Sequence, residues 1–431
     1  MPNLTRRDLL VTSAGLAGAT LLADILPGAV AAPALGRASR LKVGVIGCGG
    51  RGTGAAADIL HASPDVEILA LGDVFPERVE SAASNLAKEE GIGPRAKVPP
   101  ERRFTGFDAY QKVLALKPDI VILATPPHFR PAHFAAAIDA GCHVFFEKPV
   151  AVDPAGVRTV LAAAAKAREK RLSVVTGTQR RHERCYLEAV RRVRDGQIGD
   201  VLAARVYWNQ GSLWMHKRRP EWSDMEWQLR NWLYFAWLSG DHIVEQHVHN
   251  IDAAHWVLDT LPTACSAMGG RQVRTHADYG HAFDHFAVDF DHPGGVTVQS
   301  YCRQIDGCHN RVEEVFTGTK GTLITSSGRA EIRDRSGATA WKFQGENPNP
   351  YVVEHQDLVA SVTGAGPYVN EGERIAHSTL AAIMGRMSAY TGKHLTWKQA
   401  LESKLDLSPG KYEMGPLATP EVAVPGKTPL I

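Results

Sequence analysis

Three groups of residues in this 431-residue chain are of the types that hold charged ligands or move protons. The first is Gly47-Cys48-Gly49-Gly50-Arg51-Gly52, glycines in the spacing G-x-G-x-x-G. In such a run Gly47 permits a tight turn, Gly49 lets the backbone approach a pyrophosphate, and Gly52 permits close helix–strand packing. The amide groups of Gly50 and Arg51, at the start of the following helix, then face the phosphates. The second group is Glu147-Lys148-Pro149. A lysine at a strand end beside a redox cofactor can polarise a substrate hydroxyl or carry its proton, because burial or a neighbouring cation brings an ammonium into working range. The alternative is a surface lysine closing a turn. The third group is the segment from Asp241 to Asp252, which holds Asp241, His242, Glu245, His247, His249 and Asp252. Glu245 and His249, four apart, share one face of a helix. Glu245, His247 and His249 share a face only in an extended segment, and the spacing is not His-Glu-x-x-His. The expectation is a hydrogen-bonded polar cleft without metal, with a divalent ion on those three residues as the alternative.

The elements that must position these residues alternate. Leu41–Ile46 reads as a strand, Thr53–Leu60 as a helix and Val66–Leu71 as a second strand that runs to Asp73. Asp73 stands 21 residues beyond Gly52, the spacing of a carboxylate that binds ribose hydroxyls. Such a carboxylate repels a 2′-phosphate and favours NAD, while Arg78 nearby leaves NADP open; the alternative for Asp73 is a turn residue. Asp119–Ala124 and His143–Phe146 are further buried strands, separated by a helix over Pro131–Ala140 with Gly141 as its C-cap. Strands alternating with helices predict a doubly wound parallel sheet, the Rossmann architecture. Ligands gather at the carboxyl ends of its strands, which places Asp73, Thr125, Pro126, His128, Glu147 and Lys148 along one edge. After a helix over Pro154–Lys170, strand-like runs crowd the sequence at Leu172–Thr176, Val201–Asn209, Ala264–Val273, His285–Asp291, Gly295–Tyr301, Val312–Gly318 and Gly321–Thr325.

With these residues in hand, the chain resembles the Gfo/Idh/MocA oxidoreductases. The resemblance rests on Val43–Gly54, Ala124-Thr125-Pro126-Pro127, Glu147-Lys148-Pro149 and Gly240–Leu258, and extends over the mature chain. It implies an α/β plus α+β fold: an N-terminal Rossmann domain, then a domain on a large open, mainly antiparallel sheet that often forms a homo-oligomer interface. It implies that Lys148 manages the substrate proton. It also aligns Glu245 and His249 with a family pair written Asp and His, making His249 the general acid–base and Glu245 its orienter or a hydroxyl ligand. The departure is Glu for Asp. His247 stands where the family commonly has a small residue. Gln179, Arg180, Asn209, Trp214, His247 and Asn250 are expected to meet substrate; the tryptophans around 208–237 suit stacking on sugar faces, or serve as core anchors. The implied reaction transfers hydride between a sugar, polyol or glycoside carbon and a tightly held NAD(P). The rivals are a glycosidase that uses transient C3 oxidation and elimination, and a non-catalytic sugar-binding relative.

The opening residues read as an address. Thr5-Arg6-Arg7-Asp8-Leu9-Leu10 precedes an apolar run to about Leu26, and Ala29-Val30-Ala31 supplies small residues for cleavage. Paired arginines before a weakly apolar run point to the twin-arginine export machinery, hence a periplasmic or otherwise exported protein with no membrane anchor after cleavage. The expected divisions are a signal over 1–38, the dinucleotide domain over 39–152, the second domain over 153–405 with a helix near 370–391 packing back on the first, and an extended proline-punctuated arm over 406–431. A net charge of +2 offers no concentrated basic face for nucleic acid. No Cys-x-x-Cys pair occurs among the six cysteines; only Cys302 and Cys308 are near enough in sequence to invite a local disulfide.

Overall fold

The computed structural model describes residues 40–431, so the predicted export signal lies outside the described residues. Two sheets organise the chain. The first contains β1 (Leu41–Ile46), α1 (Gly50–Ala62), β2 (Val66–Asp73), α2 (Pro76–Lys88), β3 (Arg103–Thr105), α3 (Ala109–Ala115), β4 (Ile120–Leu123), α4 (Arg130–Asp139), β5 (His143–Phe146), α5 (Pro154–Glu169) and β6 (Val174–Thr176). Its strand order is β3-β2-β1-β4-β5-β6, and every pairing is parallel. Strand β4 and most of β1 and β5 are buried on both faces, which explains their apolar runs. The sequence reversal between β1 and β4 opens the crevice at which β1, β2 and β5 end.

The expected division at 152 falls inside this unit. Val174–Thr176 pairs with β5 and completes the first sheet rather than starting the second. Sequence shows a strand but not its partner, so the run grouped naturally with the strands after it.

The second sheet has nine strands. After α6 (Arg184–Arg194) come β7 (Val201–Gln210), α7 (Asp224–Arg230), α8 (Ala236–Ser239), α9 (His242–Glu245), α10 (Val248–Leu258), β8 (Ala264–Gly270), β9 (His285–Asp291), β10 (Thr297–Gln304), β11 (Arg311–Gly318), β12 (Gly321–Ser326), β13 (Arg329–Asp334) and β14 (Thr339–Lys342). The chain then forms α11 (Pro350–Thr363), α12 (Gly372–Thr391), β15 (Leu395–Thr396) and α13 (Trp397–Glu402). The order is β14-β13-β12-β11-β7-β10-β9-β8-β15, antiparallel except for β7 beside β10. Alternate residues of β7 and β10 point to opposite faces: Val206, Ser300 and Cys302 are buried, while Arg205, Tyr207 and Tyr301 lie on the more open side. Helix α12 is buried almost all round, packed against both α5 and β8, and so joins the two sheets into one core.

From Asp406 the chain runs as an arm over its own body. Leu407 N donates to Asp153 Oδ2 at 2.9 Å, Met225 N donates to Gly415 O at 3.1 Å, and Gln228 Nε2 donates to Leu417 O at 2.9 Å. All six cysteines are free thiols, Cys302 buried and Cys308 exposed, so the two are not bridged. Among the described residues no helix is long and apolar enough to cross a membrane.

Candidate active site

A cleft of about 1070 Å³ runs along the carboxyl edge of the first sheet and is closed on its far side by residues of the second lobe. At one end is the glycine turn. Gly47 has φ 96°, and a Cβ there would lie 2.5 Å from the backbone of Ala124; a Cβ at Gly52 would lie 1.8 Å from Gly47 O. These two glycines are dictated by contact between turn, helix and β4. Gly49 and Gly50 differ, because a Cβ on either would meet nothing closer than 4.0 Å. They line open cleft at the N-terminus of α1, a cradle that a pyrophosphate fits. Asp73 ends β2 in the same cleft. It is buried and accepts from Cys48 N at 2.7 Å and Phe75 N at 3.0 Å, which fixes the carboxylate in place. Burial pushes its carboxyl upward, opposed by Arg78 and those two amides. Arg78, Thr125, Pro126 and Glu147 also line the cleft, as does Arg51, whose Nε donates to Glu147 Oε1 at 2.5 Å.

The two lobes meet at Lys148. Its Nζ donates to the backbone carbonyl of Glu245 at 2.5 Å and to Glu245 Oε1 at 3.2 Å. Both side chains are largely buried, and both line the cleft with His249. The turn that delivers Glu245 begins at Gly240 and Asp241, with φ 77° and 69°. A positive φ at an aspartate costs roughly 1–3 kcal/mol unless the surroundings hold it. Here Asp241 accepts from His242 N at 2.6 Å, Phe283 N at 2.8 Å and Tyr390 Oη at 2.6 Å. Asp241 is therefore a structural anchor.

Glu245 and His249 do not share one continuous helix: α9 ends at Glu245, α10 starts at Val248, and Gln246–His247 interrupts them. Both nevertheless reach the cleft. His249 is buried, its ring makes no hydrogen bond, and its Nδ1 is sealed from solvent. Burial, then the charges of Lys148 and Arg180, hold its pKa well below the ordinary imidazole value. The side chain is a neutral imidazole beside a lysine ammonium.

Several expected contacts lie elsewhere. His247 is fully buried and pairs through Nε2 with Ser300 Oγ at 2.7 Å, on the sheet side of the interrupted helix. It does not converge with Glu245 and His249, and among the described residues no three His, Cys, Asp or Glu side chains form a group able to hold a metal. Arg180 and Asn250 are absorbed by a buried carboxylate, Glu314 of β11. Arg180 Nη1 donates to its Oε1 at 2.6 Å, Asn250 Nδ2 to the same atom at 2.7 Å, and Tyr186 Oη and Thr325 Oγ1 donate to Oε2 at 2.9 and 2.7 Å. Asn209 follows the pleat of Arg205 and Tyr207 onto the outer side of β7, so its neighbour Trp208 faces the helices instead. His128 turns away from the cleft into Phe129, Trp237 and Tyr412, pairing with Tyr412 Oη at 2.8 Å. Gln179 and Trp214 do line the cleft.

Other lining residues went unnoticed in the sequence: Tyr351, Arg130, His133, His216 and Arg230. Tyr351 accepts from Gln179 Nε2 at 3.2 Å. Of the tryptophans, Trp214 and Trp232 face the cleft with ring centroids 6.0 Å apart, whereas Trp227 and Trp237 are core. Glu314 carried a usable signal, since it alternates with Val312 and Phe316 on the apolar face of a predicted strand, and a carboxylate there needs partners.

The sequence matches the Gfo/Idh/MocA oxidoreductase family with its NAD-binding Rossmann fold over residues 41–176, and the family's C-terminal domain over 186–324. The chain belongs to the Gfo/Idh/MocA family of NAD-binding oxidoreductases. It is 21% identical over 315 residues to a 2,7-anhydro-N-acetylneuraminate hydratase of Escherichia coli, covering 71% of this chain and 78% of that one. It is 25% identical over 258 residues to an inositol 2-dehydrogenase/D-chiro-inositol 3-dehydrogenase of Halalkalibacterium halodurans, covering 60% of this chain and 64% of that one. Its fold superposes on the crystal structure of aldose-aldose oxidoreductase from Caulobacter crescentus complexed with glycerol with a TM-score of 0.63, at 19% identity, over 83% of this chain and 99% of the other.

The buried imidazoles make folding acid-sensitive. Burial holds His133, His247 and His255 down to about 3, and His242, His249 and His355 well below their ordinary value. Below the unfolded value near 6.5 the unfolded chain binds protons that the folded chain refuses, so stability falls as pH falls. Each such histidine costs about 1.4 kcal/mol per pH unit in that range. His182 acts oppositely: although burial opposes it, hydrogen bonds to Asp357 and Glu371 raise it to about 9, so its stabilisation is lost only as pH rises through 9. A scan of the unfolding temperature from pH 7.5 to 5 is expected to show a steep fall, and a flat profile would contradict these buried neutral rings.

Proposed function

We propose that the protein oxidises a secondary hydroxyl of a sugar, polyol or glycoside, with NAD(P) held on the glycine turn. The observation that carries this reading is the meeting of Lys148 and His249, from separate lobes, in the cleft that also contains that turn. When bound there, the dinucleotide supplies the acceptor for the substrate hydride. Lys148, as an ammonium tied to Glu245, donates a hydrogen bond to the reacting oxygen and stabilises charge as it develops. His249, neutral, takes the hydroxyl proton. Glu245 holds Lys148 and leaves a carboxylate oxygen for a neighbouring hydroxyl. Gln179, Tyr351, Trp214 and Trp232 give the polar and aromatic walls that suit a carbohydrate. Asp73 favours NAD. The sugar and polyol names carried by the relatives support the same substrate class.

The test is a panel of myo-inositol, aldoses and p-nitrophenyl glycosides with NAD⁺. Stoichiometric NADH or a reduced second sugar supports the oxidoreductase. Release of p-nitrophenol without net NADH instead identifies the oxidation–elimination glycosidase, which the hydratase relative brings into view. Sugar binding with neither reaction identifies a non-catalytic relative. Lys148→Ala is expected to lower turnover by at least about 10²-fold while leaving dinucleotide affinity unchanged, on the usual scale of losing a hydrogen-bond donor to developing charge; full activity in that variant refutes the role of Lys148.

The opening sequence supports export of the folded protein by the twin-arginine route, which demands a cofactor that stays bound. A cross-lobe contact suits this. Arg230 lies over the Phe75 ring at 3.9 Å and donates to Glu77 Oε1 at 2.6 Å, spanning the cleft beside Asp73 and Arg78. Protein recovered from the periplasm is expected to carry dinucleotide, and Arg230→Ala to release it several-fold faster; recovery of only empty protein there contradicts retention. The open side of the nine-stranded sheet, where Met268 is 76% exposed in register with Tyr301 and Tyr207, supports a homo-oligomer built on that face. Sedimentation equilibrium of the exported protein is expected to give a multiple of the mass of the chain without its signal; a monomer at micromolar concentration contradicts it.

A further inference from the structure

A general base must be held at a fixed angle to the hydroxyl it serves, and a histidine base is usually held by a carboxylate or carbonyl on its second ring nitrogen. His249 has no such partner. Its Nδ1 is buried and unpaired, and the two carboxylates nearest in sequence are committed elsewhere, Asp252 to Arg181, Arg374 and Ser378, and Glu245 to Lys148. Something else must fix the ring.

The face of the imidazole lies against Trp208 of β7, with centroids 5.7 Å apart and planes inclined by 21°. That is an offset stack within the range where aromatic pairs attract. The indole is itself fixed. Its Nε1 donates to Gln210 Oε1 at 2.6 Å, two residues along the same face of the strand. The Arg180 guanidinium carbon lies 5.5 Å from the indole ring, a cation–π distance. Arg180 cannot swing away, because Glu314 binds it and is in turn saturated by Asn250, Tyr186 and Thr325. The chain of contacts therefore runs from a four-donor carboxylate through a buried arginine and an indole to the imidazole at the cleft. Each member is on a regular element or fixed by one.

The geometry points to Trp208 as the positioning residue for His249, clamped by Arg180 and Gln210 in place of a carboxylate partner on the imidazole. The inference rests on His249 being the proton acceptor, as argued above. It adds a role for a residue that touches neither substrate nor cofactor, and explains why the cation Arg180 is buried so near a base: its charge helps to keep the ring unprotonated while its contact holds the indole.

The test compares Trp208→Leu and Trp208→Phe with the native protein and His249→Ala, using NAD⁺ and the substrate that the panel identifies. Trp208→Leu is expected to lower kcat about 10-fold or more with little change in the KM for NAD⁺, since misplacing a reacting group carries such costs. Trp208→Phe, which keeps an aromatic face, is expected to recover to within about 3-fold of native on the same grounds. In the His249→Ala background, Trp208→Leu is expected to cause no further loss, because a residue that acts only through His249 has nothing left to position. Multiplying losses in the double variant, or an unchanged kcat in Trp208→Leu, overturns the inference. If His249→Ala is itself fully active, the fault lies with the assignment of His249 rather than with Trp208. A readout independent of turnover is the ¹³Cε1 resonance of His249 in histidine-labelled protein, identified by its loss in His249→Ala. It is expected to be sharp in the native and Trp208→Phe proteins and broadened or displaced in Trp208→Leu. An identical line in all three also overturns the inference, and unchanged unfolding temperatures show that the variants are folded.

Discussion

The contact from Lys148 Nζ to the carbonyl and carboxylate of Glu245 is where the two halves of the molecule become one site. Lys148 stands at the end of a parallel strand. Glu245 stands at the end of a four-residue helix whose first turn depends on a positive φ at Asp241. Neither lobe by itself brings both Lys148 and His249 to the cleft. An ammonium buried with so few neighbours is costly unless its protons are used, and Glu245 supplies two of the acceptors. The same contact sets how far His249 lies from the strand edge, because His249 follows Glu245 by only four residues across the break between α9 and α10.

The charges around that contact are arranged in layers. At the cleft wall Arg51, Glu147, Lys148 and Glu245 pair with one another. Behind them two buried carboxylates are fully engaged: Glu314 collects four donors, and Asp252 is held by Arg181, Arg374 and Ser378. Buried ionic groups of this kind are weak contributors to net stability, yet removing one partner leaves an uncompensated charge. Their use here is positional. They fix Trp208 and α10, and through these the imidazole.

The places where the sequence misled are instructive because each has a plain geometric cause. Asn209 and Trp208 are neighbours in sequence and lie on opposite faces of β7, so a one-residue error in parity exchanges a residue on the helix-facing side for one on the outer side. His247 and His249 differ by two positions across an interrupted helix; one faces Ser300 and the other the cleft. A continuous helix would also have separated them, but only the break at Gln246–His247 decides which way each points. Gln179 and Arg180 are adjacent, yet the first lines the cleft while the second is drawn under it by Glu314.

What the amino-acid sequence determined by itself is local. Gly47 and Gly52 had to be glycine because turn, helix and strand approach too closely for a side chain. The apolar strands ending at Asp73, Thr125 and Lys148 specified a parallel sheet with a ligand edge, and the spacing of Glu245 and His249 marked the second half of the site. Period and spacing are properties of neighbours along the chain, and they survive without coordinates. Which face of β7 meets the helices, that Val174–Thr176 joins the first sheet, and that Tyr351 reaches the cleft begun at Gly47 while Glu314 and Trp208 stand behind His249 were decided only in the tertiary structure. Those outcomes depend on register and on pairing between distant segments, for which the free energy lies in contacts that no stretch of sequence contains alone.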